Sequence, residues 1–193
     1  GLTFAAALRS FLRQDPDVMM VGEIRDLETA QIAVQAALTG HMILATLHTN
    51  TAAAAITRLA DMGVEPFLIA STLTGVLAQR LARRLCPACR EACQPTAEQL
   101  APLGFADQAG VTLYRAVGCP VCGGSGYRGR VALTEFLPVT DMVGRLITER
   151  ATLREIEEAG RAAGMHGMIE DGFAKARDGL TTIEELLRIL REV

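Results

Sequence analysis

The sequence predicts an α/β fold, because short apolar runs alternate with helical segments over its first third. Residues 18–21 form an apolar run bounded by Pro16 and Gly22, which is typical of a buried strand in a parallel sheet. Residues 42–46 form a second short run, and segments of helical periodicity stand between and after the two runs. Strands and helices in short alternation indicate a parallel sheet with covering helices.

Apolar periodicity predicts four helices in this region, over residues 3–13, 27–38, 52–62 and 66–81. One side of the first helix carries the apolar residues Phe4, Leu8, Phe11 and Leu12. Asp26 is the expected N-cap of the second helix, and Gly40 follows its end, where glycine stops many helices. Asn50 or Thr51 opens the third helix, and Pro66 suits the first turn of the fourth.

The composition is that of an ordinary globular protein, since 50% of the 193 residues are hydrophobic and 21% are charged. The formal net charge of −3 gives no broad electrostatic attraction to nucleic acid or to an anionic membrane surface. No apolar run approaches the length of a membrane span, and no signal-peptide pattern is present. We therefore expect a cytoplasmic protein that binds no nucleic acid and contacts membranes only through partners.

The middle of the chain has a different composition from the first third. From Arg83 to about Tyr127 the sequence carries Cys, Pro and Gly with little periodicity, which indicates a small loop-rich module. Residues 130–137 are expected to form a strand leaving this module. From Thr140 onward the pattern is helical, with two S/T-x-x-E capping boxes in front of apolar runs. These boxes pair Thr152 with Glu155 and Thr182 with Glu185.

Polar residues follow both predicted strands at the point where each strand ends. Glu23 follows the first strand, and Thr46 and His48 follow the second. The carboxyl ends of parallel strands meet at one edge of a sheet, where ligands bind. A carboxylate there can position Mg²⁺ or orient a water molecule, and a histidine can donate to a phosphate oxygen. A solvated Glu23 is the plainer interpretation of its strand alone, but the two strand ends together favour function.

Four of the five cysteines form two C-x-x-C pairs, Cys86 with Cys89 and Cys119 with Cys122. Four thiolates complete the tetrahedral shell of Zn²⁺ with no open position, which predicts a structural zinc site. Four unligated thiols in a reducing compartment are the alternative interpretation. Cys93 has no partner at the knuckle spacing and is expected to stay outside the site.

Four motifs of the chain resemble those of one protein family. MVGEIRD is similar to an atypical Walker B motif, with Gly-Glu where other ATPases have Asp-Glu, and TGHMILATLHTN is similar to a histidine box. VLAQRLARRLCPAC resembles the passage into a zinc-binding subdomain, and GLTTIEELLRIL resembles a C-terminal end. Over essentially the whole chain these motifs resemble the assembly ATPases of type II secretion and type IV pili, most closely the secretion-system E protein and pilus-extension proteins.

The resemblance implies the C-terminal half of a RecA-like P-loop ATPase domain, followed by a small tetracysteine zinc-binding subdomain and a C-terminal helical bundle. The expected boundaries are residues 1–82, 83–137 and 138–193. An intact protein of this kind is expected to be a cytoplasmic homo-hexameric motor at the bacterial inner membrane. It would use ATP and Mg²⁺, hold a structural Zn²⁺, and act on the platform proteins of secretion or pilus assembly.

Residue roles follow from the same resemblance. Glu23 is expected to be the catalytic carboxylate that acts on the attacking water, and His48 to sense the γ-phosphate. Thr46 and His41 would support that strand end, although a His41 satisfied by the backbone is an equally good interpretation. Arg25 and Asp26 would complete the Walker B segment as residues that support nucleotide binding. Arg9 and Arg13, four apart on one helical face, are candidates for an anionic partner, with a solvated basic face as the simpler interpretation.

One motif of that family is absent from this chain. Its G-x-x-x-x-G-K-[ST] loop cradles phosphates through backbone amides and a lysine. Lys175 is the only lysine here, and neither a preceding glycine nor a following Ser or Thr accompanies it. We therefore expect a C-terminal piece of a family member, with the phosphate cradle outside the chain, and no ATP hydrolysis by the isolated chain.

A second interpretation belongs to a different functional class. CPVCGGSGYRGR also fits the C-x-x-C-x-G-x-G zinc repeat of the J-domain co-chaperones. That repeat occurs in series, whereas the first pair here continues CPACREAC without a glycine. A zinc-module chaperone or interaction protein without ATPase activity is therefore the alternative. The α/β segment discriminates, because such a protein needs neither VGEIRD nor TLHTN.

Overall fold

The computed structural model of the protein describes residue 1, residues 4–14 and residues 16–191. The chain divides into two compact units, and each unit consists of two separate stretches of sequence. The first unit comprises Gly1–Leu77 and Phe136–Met165, and the second unit comprises Ala78–Glu135 and His166–Val193.

The described residues form six strands and nine α-helices, besides three short 3₁₀ turns. The strands are β1 (Val18–Val21), β2 (Met42–Ala45), β3 (Gly75–Leu85), β4 (Glu91–Cys93), β5 (Leu113–Arg115) and β6 (Tyr127–Pro138). The helices are α1 (Phe4–Leu12), α2 (Leu27–Leu38), α3 (Ala52–Asp61), α4 (Pro66–Thr72), α5 (Ala97–Leu100), α6 (Asp141–Thr148), α7 (Leu153–Ala162), α8 (Met168–Arg177) and α9 (Ile183–Leu190). The division predicted from the sequence, into residues 1–82, 83–137 and 138–193, stays a prediction.

Strands β1 and β2 pair in parallel, as the sequence predicts, with Val18 opposite Met42 and Val21 opposite Ala45. Side chains of β1 alternate, so that Met19 and Val21 are buried in the first unit. Parallel pairing places the carboxyl ends of both strands at the same edge of the sheet. This edge carries the polar residues that the sequence singles out.

Capping fixes the helices that flank the two strands. Oδ1 of Asp26 accepts a hydrogen bond from the backbone N–H of Thr29 at 2.7 Å, which confirms the predicted N-cap of α2. Thr51 caps α3 in the same way, accepting from the N–H of Ala54 at 3.2 Å. Gly40, two residues after α2, has a φ of +98°, a conformation that favours glycine. The predicted helices 27–38 and 52–62 are thus confirmed to within one residue.

The predicted helix over residues 66–81 is wrong beyond Thr72. Helix α4 ends there, and β3 begins at Gly75. The segment is rich in Ala, Leu, Gln and Arg, which favour helices, but pairing with β6 overrides that propensity. A Cβ on Gly75 would lie 2.7 Å from the ring of Phe136 in β6, so the two backbones approach closely here. Glycine permits this close approach, but a single glycine in the sequence does not indicate that a strand begins there.

Strands β3 and β6 run antiparallel, as the backbone hydrogen bonds at their two ends show. The N–H of Val139, just after β6, donates to the carbonyl of Thr74, just before β3, at 3.1 Å. At the other end the N–H of Cys86 donates to the carbonyl of Gly126 at 2.9 Å. The strand expected over residues 130–137 is therefore confirmed, and it starts three residues earlier, at Tyr127.

Two further expectations about helices need correction. On the predicted apolar side of α1, Leu8 is buried but Phe11 is 62% exposed, so that side is buried only in part. Glu185 does not complete a capping box with Thr182, although the N–H of Glu185 donates to Oγ1 of Thr182 at 3.4 Å. Its carboxylate instead accepts hydrogen bonds from Arg83 of β3, within the second unit.

The C-terminal helices otherwise follow the sequence-based expectation. Thr152 and Glu155 form the predicted capping box at the start of α7. In the second unit the rings of Phe105 and Phe173 stack at a centroid distance of 4.1 Å, which packs α8 against the region that follows α5. No helix in the described part of the chain has the length and apolar character needed to cross a membrane.

Candidate functional site

Three polar side chains meet at the carboxyl ends of β1 and β2, and we call them the strand-end cluster. Oε1 of Glu23 is 2.8 Å from Nε2 of His48, and Oε2 of Glu23 is 2.6 Å from Nη2 of Arg25. The side chain of Glu23 is 22% exposed, whereas those of His48 and Arg25 are 85% and 77% exposed. A partly buried carboxylate is thus held between two exposed donors.

Backbone and side-chain hydrogen bonds tie the two strand ends to each other. The N–H of Ile24 donates to the carbonyl of Thr46 at 3.0 Å, which continues the β1–β2 pairing past the last strand residues. Oγ1 of Thr46 donates to the carbonyl of Gly22. The segment that carries Glu23 is therefore fixed against the segment that leads to His48, and Thr46 is the residue that joins them.

The two partners of Glu23 lower the pKa of its carboxyl. The hydrogen bond from Arg25 has the largest effect and lowers the pKa of the Glu23 carboxyl. Partial burial raises the pKa, and His48 lowers it further through its charge and its hydrogen bond. Glu23 is therefore a carboxylate at neutral pH. A carboxylate of lowered pKa is a weak proton acceptor, which suits it to orienting water more than to taking a proton from it.

Asp26 and His41 lie near the cluster in sequence but serve helix α2. The hydrogen bond from the N–H of Thr29 is the largest cause that lowers the pKa of Asp26, whose carboxylate caps the helix. His41 precedes β2, at the opposite end of that strand from the cluster. Its Nδ1 is 3.0 Å from the carbonyl of Ala36 and 3.1 Å from Oγ1 of Thr39, at the end of α2. This placement favours the interpretation in which His41 is satisfied by the helix end.

The two arginines of the first helix are both at the surface. Arg9 forms an exposed ion pair with Glu28 of α2, at 2.9 Å. Arg13 is exposed and follows Leu12, the last residue of α1, so it lies outside the helix that was expected to align it with Arg9. Exposed ion pairs contribute little to stability. The geometry favours the solvated-face interpretation for both residues.

The second unit brings the four paired cysteines together. All four Sγ atoms lie within 4.8 Å of one another. Sγ–Sγ distances are 4.0 Å between Cys86 and Cys119, 3.8 Å between Cys89 and Cys122, and 3.7 Å between Cys119 and Cys122. A zinc ion with Zn–S bonds of about 2.3 Å in a tetrahedron separates its sulfur ligands by about 3.8 Å. The donor set and its dimensions therefore fit a structural zinc site.

Backbone amides of the turn around the second cysteine pair also contact a sulfur atom of this site. The N–H groups of Cys119 and Gly126 each donate to Sγ of Cys122 at 3.2 Å. Burial opposes the thiolate, but these hydrogen bonds outweigh it and lower the pKa of Cys122 to about 6. A Cβ on Gly126 would lie 2.6 Å from that of Ala116, so a larger residue does not fit there. The turn thus supplies positive partial charge to a sulfur ligand.

One thiol of the four-cysteine group, that of Cys89, does not ionise readily without a bound cation. Burial is the main cause that raises the pKa of Cys89 to about 12, and the neighbouring cysteine sulfurs raise it further. A divalent cation removes this penalty by ligating the thiolate. Cys93 lies in β4 and is not part of the four-cysteine group, as predicted.

The end of the second unit is held by a group of charged residues that no local sequence pattern indicates. Glu185 in α9 is fully buried, and its carboxylate accepts hydrogen bonds from the N–H and Nε of Arg83, both at 2.8 Å. The guanidinium of Arg83 lies 4.1 Å over the ring of Tyr127, whose hydroxyl is 3.0 Å from Oγ1 of Thr182. Arg83 and Glu185 are 102 residues apart, so no local pattern connects them.

The fold is similar to that of solved ATPases. It matches the pilus retraction motor PilT, in a structure with bound ADP, with a TM-score of 0.66 and 28% identity over 99% of this chain and 45% of that chain. It matches the Legionella pneumophila ATPase DotB in fold, with a TM-score of 0.66 and 24% identity over 99% of this chain and 43% of that chain. The chain thus has an α/β fold of the kind found in these ATPases.

Comparison of the sequence with known proteins identifies the family of this chain. The family model of the type II/IV secretion system proteins matches residues 1–188, and the chain belongs to this family. The type IV pilus assembly ATPase PilB of Thermus thermophilus is 56% identical over 97% of this chain and 21% of its own length. The type II secretion system ATPase E of Vibrio cholerae is 53% identical over 99% of this chain and 38% of its own length. The chain therefore spans well under half the length of these relatives.

Proposed function

We propose that the intact protein containing this chain is a motor subunit that hydrolyses ATP and drives type II protein secretion or type IV pilus assembly. The contact between Glu23 and His48 at the ends of two parallel strands carries the proposal, in a chain that belongs to this family. Both systems enter the proposal, because the pilus assembly ATPase and the secretion ATPase are 56% and 53% identical to the chain.

The strand-end cluster has the groups that phosphoryl transfer to water requires. Glu23 would orient the attacking water, and the exposed His48 would donate to a γ-phosphate oxygen. Such reactions depend mainly on positioning and on stabilisation of charge. Thr46 would keep the strand end in place, Arg25 and Asp26 would support it, and Mg²⁺ bound with ATP would neutralise phosphate charge. The proposal does not depend on His41, Arg9 or Arg13, since His41 contacts the end of α2, Arg9 pairs with Glu28, and Arg13 follows the last residue of α1.

The phosphate cradle would come from residues outside this chain. Lys175 lies in α8 of the second unit, where its Nζ donates to Asp171 four residues earlier. It thus forms a structural ion pair, and no glycine-rich turn precedes it. The arrangement supports the proposal that the P-loop belongs to a part of the intact protein that this chain does not include.

The sheet of the first unit also supports a larger domain. Val18 and Met20 of β1 are 58% and 79% exposed, and Met42 and Leu44 of β2 are 52% and 47% exposed. Parallel sheets are normally covered on both faces, so an apolar exposed face is unusual. We propose that further elements of a RecA-like domain cover it, with this chain supplying the C-terminal half of that domain and a C-terminal helical bundle.

Zinc would hold the four-cysteine module together and take no part in hydrolysis. Its four thiolate ligands would be Cys86, Cys89, Cys119 and Cys122, which leave no open position for a substrate. The intact protein would assemble as a homo-hexamer in the cytoplasm and reach the bacterial inner membrane through platform proteins. The family assignment supports these last proposals.

The chaperone interpretation explains less of the molecule. A zinc-module chaperone needs neither the parallel strand ends nor the contact between Glu23 and His48. The match to the secretion-system family over residues 1–188 also favours the motor.

The experiment compares the isolated 193-residue chain with an intact ATPase that carries this chain as its C-terminal part. The intact protein is the natural one or a chimera with the Vibrio cholerae ATPase E. Steady-state hydrolysis and binding of a fluorescent ATP analogue are measured on both. We expect hydrolysis by the intact protein only, with at least tenfold weaker nucleotide binding by the isolated chain. An intact protein that folds and binds nucleotide without hydrolysing it would contradict the proposal.

A further inference from the structure

The carboxylate of Glu23 has a different partner on each oxygen. Arg25 binds Oε2 at 2.6 Å and His48 lies 2.8 Å from Oε1. The terminal torsion of a glutamate is broad and roughly twofold, so a single contact leaves its carboxylate free to turn. Two contacts on opposite oxygens fix the plane of the carboxylate.

The two partners differ in where they come from. Arg25 is two residues after Glu23 on the segment that leaves β1, and His48 belongs to the segment that leaves β2. A ligand that draws His48 away would therefore not by itself separate Arg25 from Glu23, since both lie on one segment. The Arg25 contact also leaves Oε1 as the oxygen that faces the neighbouring strand end, where water and phosphate would meet.

The exposure of Arg25 indicates what its contact contributes. Its side chain is 77% exposed, and an ion pair so open to solvent adds little to folding stability. The contact nevertheless holds Oε2 of Glu23 at 2.6 Å, and it is the largest cause that lowers the pKa of that carboxyl.

We propose that Arg25 is a positioning residue for ATP hydrolysis, which acts by holding Oε2 of Glu23 and does not itself bind the nucleotide. The inference rests on the proposed function and assigns Arg25 a different role from nucleotide support. Glu23 is the residue that acts on water, and Arg25 sets the orientation of its carboxylate. A misplaced catalytic group costs up to about 100-fold in rate, so the loss of this contact is large enough to measure.

The experiment is a double-mutant cycle in the intact protein, with Arg25→Gln, Glu23→Gln and the double variant. Turnover is measured under single-turnover conditions, and the dissociation constant of a slowly hydrolysed ATP analogue is measured on each. We expect Arg25→Gln to lower turnover about 10- to 100-fold with less than a twofold change in affinity. In the Glu23→Gln background the same change has no further effect, because its target is gone.

Two readouts separate positioning from a structural role. Arg25 and His48 are the two side chains that lower the pKa of the Glu23 carboxyl, so Arg25→Gln raises this pKa and moves the acid limb of the turnover profile to higher pH. Arg25→Lys keeps a charged donor and restores part of the rate. Arg154→Gln is the control, since it removes an exposed ion pair with Glu158 in the same unit. Unfolding temperatures of all variants should stay close to that of the wild type.

The possible failures are distinguishable. Wild-type turnover by Glu23→Gln would overturn the proposed role of Glu23 and this inference with it. If Glu23→Gln lowers turnover, but Arg25→Gln still lowers turnover as much in the Glu23→Gln variant as in the wild type, the inference about Arg25 alone is overturned. A tenfold loss of nucleotide affinity in Arg25→Gln, with an unmoved acid limb, would make Arg25 a phosphate ligand and also overturn it.

Discussion

The carboxylate of Glu185, buried in α9, binds both the backbone N–H and the guanidinium of Arg83, a residue of β3. Arg188 adds a second guanidinium at 3.1 Å, on the same helix as Glu185. A buried carboxylate is costly unless it is paired and hydrogen-bonded, and Glu185 meets both conditions. Since the three residues lie in the second unit, this group fixes the last described helix to the strand that leads into the cysteine module.

Glu185→Ala is expected to destabilise the protein by about 2–4 kcal/mol. The substitution removes charge-assisted hydrogen bonds at a buried position and leaves a cavity in α9. Denaturant unfolding, followed by circular dichroism, measures the change in the free energy of unfolding. Glu158→Ala is the matched control, because its pair with Arg154 is exposed and 3.8 Å long, and we expect a change within about 0.5 kcal/mol. Equal effects of the two substitutions would contradict the role assigned to Glu185.

Acid should remove the stabilisation that Glu185 provides. Burial alone would raise the pKa of this carboxyl, but the hydrogen bonds from Arg83 and Arg188 outweigh it and lower the pKa from 4.5 to about 2. A group whose pKa is lower in the folded state stabilises the fold above its unfolded pKa and loses that effect as pH falls. The difference in unfolding free energy between the wild type and Glu185→Gln should therefore be constant above about pH 5 and shrink between about pH 4.5 and pH 2. A difference that stays constant down to pH 2 would contradict this assignment.

The sequence predicts much of this fold because the first third has local signals. Asp26 and Thr51 cap helices as their types suggest, and two apolar runs form parallel strands. Residues 75–81 were assigned to a helix because their amino acids favour one, and only the pairing of β3 with β6 overrides that preference. The residues of β3 do not by themselves indicate that a distant strand will pair with them.

The candidate sites differ in the same way. The C-x-x-C spacing of the four cysteines predicts their grouping, and the structure brings their sulfur atoms within 4.8 Å of one another. Glu23 and His48 were expected at one sheet edge because parallel strands end together, and their side chains are 2.8 Å apart. The link between Glu185 and Arg83 was not foreseen, because Glu185 fits a local capping pattern equally well. The sequence alone does not show whether the Glu185 carboxylate binds the nearby Thr182 or the distant Arg83.

One zinc ion per chain is expected in protein purified without chelators under reducing conditions. Four sulfur ligands at these distances bind zinc as part of folding, so its removal should destabilise the second unit. Elemental analysis gives the stoichiometry, and hydrogen exchange after treatment with a chelator locates the loss of protection in the cysteine module. Cys119→Ser should lose the metal, whereas Cys93→Ser, outside the group of four, should keep it. Zinc-free wild-type protein with unchanged hydrogen exchange would show that the cluster is not a metal site.

The central claim is that Glu23 orients the water that attacks ATP, and the turnover of Glu23→Gln in the intact protein tests it most directly. The substitution keeps the size of the side chain and removes its charge, while His48→Ala serves as a comparison that removes a donor to phosphate. We expect Glu23→Gln to bind ATP normally and to lower turnover by a factor on the order of 10², the scale of a lost positioning contact, with a smaller loss for His48→Ala. Wild-type turnover by Glu23→Gln would contradict the assignment of the strand-end cluster as the hydrolytic site.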